Sequence, residues 1–159
     1  MITEVTLTDI QDFIVRSVAT STEFNDLCLS SLGTDMTYYR GSDLSKAIEA
    51  TPYFMSYKFN SQDVETQNSS WVLQYIIAID GNSEPIVDSD GITLYEDSDT
   101  VETLATKALD IIKDELLSGG LGGICTIRIV DVNILVTEIG EADDVQAIVT
   151  LRLENYKTL

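Results

Sequence analysis

The stretch WVLQYIIAI, residues 71–79, decides the fold, because it is nearly continuous in apolar and β-forming residues. Such a run is typical of a central strand covered on both faces, whereas a strand with one solvent-exposed face alternates apolar and polar residues. Asp80 and Gly81 follow with the residue types that end a strand. We therefore expect the core to form around this strand.

On its C-terminal side, the clearest helical pattern in the chain predicts a helix from about Thr100 to Ser118. Asp99 with Glu102 has the spacing of a capping box, and glycines follow the last turn. The apolar positions form one stripe that we expect to face the core: Val101, Leu104, Ala105, Ala108, Ile111, Ile112 and Leu116.

On its N-terminal side the chain predicts shorter elements. They are helices at residues 6–18 and 23–32, a short strand at 36–41, a helical turn at 43–50 and a strand at 53–59. Thr6 could begin the first helix, or Thr8, which with Gln11 fits a capping box. A polar run at 60–70 predicts a loop.

Two long strands close the chain, at residues 124–138 and 145–156, and the connecting residues 140–144 predict an antiparallel hairpin. Apolar and polar residues alternate along the second strand, so one of its faces should be buried. Ile148 interrupts the polar face and is therefore a candidate for contact with another subunit.

Residues 84–97 predict a second, protruding β-hairpin, with PIV at 85–87 and ITLY at 92–95 on either side of a turn. The turn residues Asp88 and Asp90, before Gly91, also resemble part of a calcium loop. The first ligand position of such a loop would be Ile86, which has no side-chain oxygen. A plain Asp/Gly turn is therefore the favoured interpretation.

Together these elements predict a single α+β domain over residues 1–159. The expected architecture is a mostly antiparallel sheet with two or more helices packed on it, plus the protruding hairpin at 84–97. A hydrophobic fraction of 44% is sufficient for a packed core.

The charge is extreme, with 27 acidic against 9 basic residues and a formal net charge of -18. Such a surface repels phosphates, and no basic cluster occurs, which disfavours nucleic-acid recognition through a Lys/Arg patch. No apolar run reaches the roughly 20 residues of a membrane span. The N-terminus lacks the features of a secretory signal, so we expect a cytoplasmic product.

The sequence names no catalytic, metal-binding or cofactor-binding residue. Histidine, the most frequent general base and metal ligand, is absent. Cys28 and Cys125 are far apart, lack metal-type spacing and are expected to be reduced core residues. Asp97, Asp99 and Glu102 are better explained as favourable charges at a helix N-terminus than as metal ligands.

The chain resembles the tail-terminator and tail-completion proteins of tailed phages and prophages, of both the lambda type and the Mu type. The resemblance lies in the start MITEV with DIQDFI at 9–14, in ATPYFM at 50–55, and in the strand, late helix and final strand pair that follow. It covers nearly the whole chain as a layout and has no invariant motif. The 84–97 hairpin has no confident counterpart in that family.

The resemblance implies a structural virion protein of the tail or neck, without enzymatic activity. Its α+β protomers would form a hexameric ring on the end of the tail tube, stop tube polymerisation and provide the surface for head-tail joining. The implied partners are other copies of the chain, the tail tube protein and a neck or connector protein. DNA would pass through an acidic lumen without specific binding.

Several apolar positions are candidates for the subunit interface: Tyr57, Trp71, Ile148, Ile86, Val87, Ile92 and Leu94. Cover by helices of the same subunit is the alternative explanation for the strand positions. Other functions also fit the residues, namely a different neck, connector or tube component, an acidic inhibitor that mimics DNA, or an enzyme with carboxylate or metal chemistry.

Overall fold

The computed structural model describes residues 5–41, 51–58, 70–81, 84–119, 121, 125–139 and 144–157. Over these residues the protein is α+β, as predicted. The elements in chain order are α1 (Leu7–Ala19), α2 (Thr22–Leu32), β1 (Thr37–Arg40), β2 (Tyr53–Lys58), β3 (Ser70–Asp80), β4 (Ile86–Val87), β5 (Thr93–Leu94), α3 (Glu96–Leu117), β6 (Cys125–Ile139) and β7 (Asp144–Lys157).

Among the described residues, the strands of the main sheet follow the order β1-β2-β3-β7-β6, with β3 in the middle. The pairs β2–β3, β3–β7 and β6–β7 are antiparallel, and β1–β2 is parallel. The prediction of a mostly antiparallel sheet that ends in a long hairpin is therefore confirmed. β4 and β5 form the separate small hairpin.

The three described helices cover one face of this sheet. α1 contacts β1 and β2, α3 contacts β3, β6 and β7, and α2 packs beside α3. Alternate residues of β3 point into this layer, because side chains two apart share a face. The buried β3 side chains of the main core are Trp71, Leu73, Tyr75, Ile77 and Ile79.

The opposite face of the sheet has a second, smaller buried cluster. It consists of Tyr53 and Met55 from β2 with Ile76 and Ala78 from β3, all at most 4% exposed. Tyr39, Tyr57 and Ile148 pack around it and are partly buried. The middle of β3 is therefore buried on both faces, as its continuous apolar sequence predicts.

The structure agrees with the predicted start of α1 and differs from the predicted start of α3. α1 is capped by Thr6, one of the two predicted caps, since the Thr6 hydroxyl accepts from Asp9 N–H at 3.1 Å and Asp9 Oδ2 accepts from Thr6 N–H at 2.9 Å. α3 begins at Glu96, before the predicted Asp99 cap, and its N-cap Tyr95 makes no side-chain cap bond. Three carboxylates in that first turn interact favourably with the positive end of the helix dipole.

The bounds of the other predicted helices and strands agree with the structure within a few residues. Some predictions concern residues that the structure does not describe. The helical turn at 43–50 lies outside the described residues, as does the loop at 60–70 apart from Ser70, which begins β3. The side chain of Cys125 also lies outside them, although its backbone begins β6.

Gln11 and Ser56 tie α1 to the sheet. Gln11 Nε2 donates to the Ser56 carbonyl at 2.9 Å, and Ser56 Oγ donates to the Gln11 carbonyl at 2.8 Å. Both residues are buried, at 3% and 0% exposure. The Ser56 carbonyl also accepts from Gly41 N–H at 3.1 Å, so it keeps one partner if the Gln11 side chain is removed.

We predict that Gln11→Met lowers the free energy of unfolding by about 1 kcal/mol, the net value of one buried hydrogen bond. Urea denaturation followed by circular dichroism measures this. Gln146→Met, at a half-buried position of β7, is the matched control and should change stability by less than about 0.5 kcal/mol. Equal stability of the Gln11 variant and the wild type would show that the hydrogen bond from the Gln11 side chain contributes nothing to the free energy of unfolding.

Candidate assembly interface

The β4–β5 hairpin is organised by its turn. Ile86 pairs with Leu94 and Val87 with Thr93. Asp88 Oδ1 accepts from the N–H groups of Asp90 and Ile92 at 2.9 and 3.0 Å, and Asp88 N–H donates to the Ile92 carbonyl at 2.9 Å. The Asp88 carboxylate thus acts as a turn acceptor, which favours the plain-turn interpretation over the calcium-loop one.

Apolar side chains of this hairpin are exposed on both of its faces. The exposed fractions are 47% for Ile86, 64% for Val87, 56% for Ile92, 37% for Leu94 and 58% for Tyr95. Ile86, Ile92 and Leu94 share one face, since they alternate along the two paired strands. Contiguous exposed apolar surface of this kind marks a site of protein interaction.

A groove lies near the other end of α3, where the last turns of the helix pass the beginning of β6. Its volume is about 440 Å³. The lining residues that the structure describes are Lys113, Leu116, Leu117, Ile127, Arg128 and Ile129, which comprise four aliphatic side chains, two cations and no carboxylate. Leu117 is 87% exposed, the largest value among the exposed large apolar residues described. We call this feature the α3–β6 groove.

The interface residues expected from the sequence fall into three places. The four hairpin residues are exposed, as an interface requires, while Tyr57 and Ile148 are half-buried beside the second cluster on the sheet face opposite the helices. Trp71 is 1% exposed and packs in the main core of its own chain. We therefore correct its assignment from interface to core, because helices of the same subunit already cover it.

Sequence reasoning missed Leu117 and the exposed residues of β6. Leu117 is not three or four residues after any member of the predicted apolar stripe. That spacing was the available signal. Val130, Ile134 and Leu135 are 43%, 37% and 55% exposed. Val130 lies within the register shift between Ile129 and Asp131, and Ile134 and Leu135 follow that shift, which the sequence does not mark.

The described residues include no group of three His, Cys, Asp or Glu side chains placed to hold a metal ion. Thr51 Oγ1 donates to Asp80 Oδ1 at 2.6 Å, so the Asp80 carboxylate has a hydrogen-bond partner within the fold. No helix within the described residues is both long and apolar enough to cross a membrane.

Ion pairs between described residues are located mainly at the surface. Asp12 binds Arg16 at 2.8 Å and Arg40 at 3.0 Å, and Glu23 binds Lys107 at 2.6 Å. The hydrogen bond from Arg16 is the main cause that lowers the pKa of Asp12. With 27 acidic and 9 basic residues, such pairs leave most of the negative charge in place.

No protein-family model and no curated protein matches this chain. The resemblance to tail-terminator proteins stays a prediction that rests on the layout of the elements.

We predict that Asp88→Ala loosens the hairpin turn without unfolding the domain, because it removes one acceptor from two backbone N–H groups. Amide hydrogen exchange at Asp90 and Ile92 should accelerate by roughly fivefold or more, as expected for the loss of about 1 kcal/mol. Asp88→Asn, which keeps a carbonyl oxygen, is the control and should stay closer to the wild type. Unchanged exchange in Asp88→Ala would contradict this role of the carboxylate.

Cys28 is expected to be unreactive in the folded chain. It is 0% exposed, and burial, with a smaller contribution from Asp35, raises the pKa of its thiol to about 11. At pH 8 roughly 0.1% would be thiolate, against about a quarter for a free thiol of pKa near 8.5.

Alkylation of Cys28 by iodoacetamide at pH 8 should therefore be at least about 100-fold slower in the native chain than in denaturant. Mass spectrometry of the peptide that contains Cys28 measures both rates. Because the raised pKa lies above the assay range, the native rate should keep rising from pH 8 to pH 10. A native rate within tenfold of the denatured rate would contradict the buried, protonated state.

Proposed function

We propose that this protein is a phage tail terminator. In this proposal the chain forms a ring on the end of the tail tube, stops polymerisation of the tube and supplies the surface to which the head is joined. The observation that carries the proposal is the exposed apolar β4–β5 hairpin on a small α+β protomer. A soluble chain that projects such a surface is suited to bind another protein subunit.

The charge supports the same role. A chain with net charge -18 repels DNA phosphates, so a ring made of it would have a lumen through which DNA slides without being retained. Like charge also opposes association of identical chains. Assembly therefore needs apolar contacts, and the hairpin carries them on an otherwise acidic protein.

The proposal requires several contact surfaces on one protomer. A ring subunit touches two neighbours, and a terminator also touches the tail tube protein on one side and a neck or connector protein on the other. The described residues offer more than one surface: the hairpin, the α3–β6 groove and the exposed part of β6 around Leu135. Tyr57 and Ile148 remain candidates on the sheet face opposite the helices.

The proposal predicts both a mass and an activity. Light scattering after size exclusion should give about six times the 17.5 kDa of one chain, with the hexamer taken from the family resemblance. Tail tube protein from the same phage should polymerise into shorter tubes when the chain is added, each with a ring on one end in electron micrographs. Bovine serum albumin, another acidic protein, is the control and should leave tube length unchanged.

Two results would overturn this proposal. One is a ring that leaves tube length unchanged and decorates no tube end. The other is a monomer that does not bind tubes but displaces DNA from a basic protein, which would identify an acidic DNA mimic.

A further inference from the structure

We propose that the ring contact is head-to-tail, with the β4–β5 hairpin of one subunit seated in the α3–β6 groove of the next. The hairpin face formed by Ile86, Ile92 and Leu94 would enter the groove. The occupant is thus a second copy of this chain. The inference rests on the proposed ring assembly and adds which surfaces form the contact.

The first argument is the position of the two surfaces along α3. The hairpin joins the N-terminal end of the helix at Glu96, whereas Lys113, Leu116 and Leu117 of the groove belong to its last turns. A helix of 22 residues is about 33 Å long, so the two surfaces lie far apart on one subunit. A contact between two different surfaces of identical chains is heterologous, and repetition of such a contact closes into a ring or extends as a filament.

The second argument is the chemistry of the two surfaces. The hairpin face is aliphatic, and so are four of the six groove residues. Both Leu117 and Ile92 are more than half exposed in the single chain. Docking would remove both from water, which is the dominant favourable term in most protein association.

The third argument is charge complementarity. The hairpin, residues 84–95, contains three carboxylates, and no Lys or Arg occurs between residues 59 and 106. The described lining residues of the groove include Lys113 and Arg128 and no carboxylate. In a chain with only nine basic residues, this places an acidic arm opposite a basic-rimmed apolar groove. Such complementarity selects the partner and its register.

The fourth argument is the edge of the sheet. β6 is the last described strand on its side of the sheet, and the groove lies along its beginning. Uncovered edge strands tend to pair with other chains, and proteins commonly cover them with another segment. Ile127 and Ile129 pack on the main core of their own chain, so a hairpin docked at Leu117 would cover this part of the edge beside them within the ring.

The test uses two single variants of the full chain. Ile92→Asp alters only the hairpin face, and Leu117→Asp alters only the groove. Each should weaken self-association by at least about tenfold, because a charge replaces an aliphatic contact. Leu29→Asp is the matched control, at an exposed leucine of α2 that belongs to neither surface. This control should assemble like the wild type.

A mixture of the two variants distinguishes a head-to-tail contact from a hairpin-to-hairpin contact. The Ile92→Asp chain keeps an intact groove, and the Leu117→Asp chain keeps an intact hairpin. Mixed in equal amounts, they should form a species of two chains with one intact contact, while each alone stays monomeric. Sedimentation at increasing concentration measures these masses, and circular dichroism with thermal melting verifies that every variant is folded.

The results separate this inference from the proposed function. Rings that depend on Ile92 and Leu117 but do not cap tubes would support the contact and overturn the terminator. Tube capping by both folded variants would support the terminator and overturn the contact. A mixture that stays monomeric, or a wild type that is monomeric up to millimolar concentration, would also overturn the contact.

Discussion

The structure depends on the burial of β3 on both faces. On one side its alternate residues pack under α1 and α3, and on the other Ile76 and Ala78 join the second cluster. Tyr75 shows how closely this strand is held, since its ring stacks on Phe54 at 5.2 Å and its hydroxyl donates to the Ala105 carbonyl at 2.8 Å. Each fully buried side chain of this size contributes roughly 1.5–3 kcal/mol. The other elements are arranged around this strand.

A consequence of this arrangement is that apolar area is available for assembly only at the periphery. Trp71 and the apolar residues around it are buried in the core of one chain, so an interface has to use residues outside the centre of the sheet. The hairpin and the end of α3 provide them, because neither packs fully on the sheet. The core and the proposed interface are therefore formed by different apolar residues of the chain.

The acidic charge constrains how the chain can associate. Identical subunits of charge -18 repel each other, and screening reduces this only beyond about 8–10 Å at physiological salt. Close contact therefore needs local apolar burial and local opposite charge. The hairpin and the groove combine these two features, which is why the contact we propose is between unlike surfaces and not between two hairpins with three carboxylates each.

The sequence by itself determined the element types, the central position of β3, the final strand pair and the turn at Asp88, because hydrophobic period and turn chemistry are local properties. It also determined the net charge. It did not locate the start of α3. There the helix begins without a side-chain cap, and the carboxylates of its first turn interact favourably with the helix dipole. Only the tertiary structure decided that Trp71 is core and that Leu117 lies in a groove. Whether an apolar residue is covered depends on which distant elements pack on it, and local sequence does not encode that.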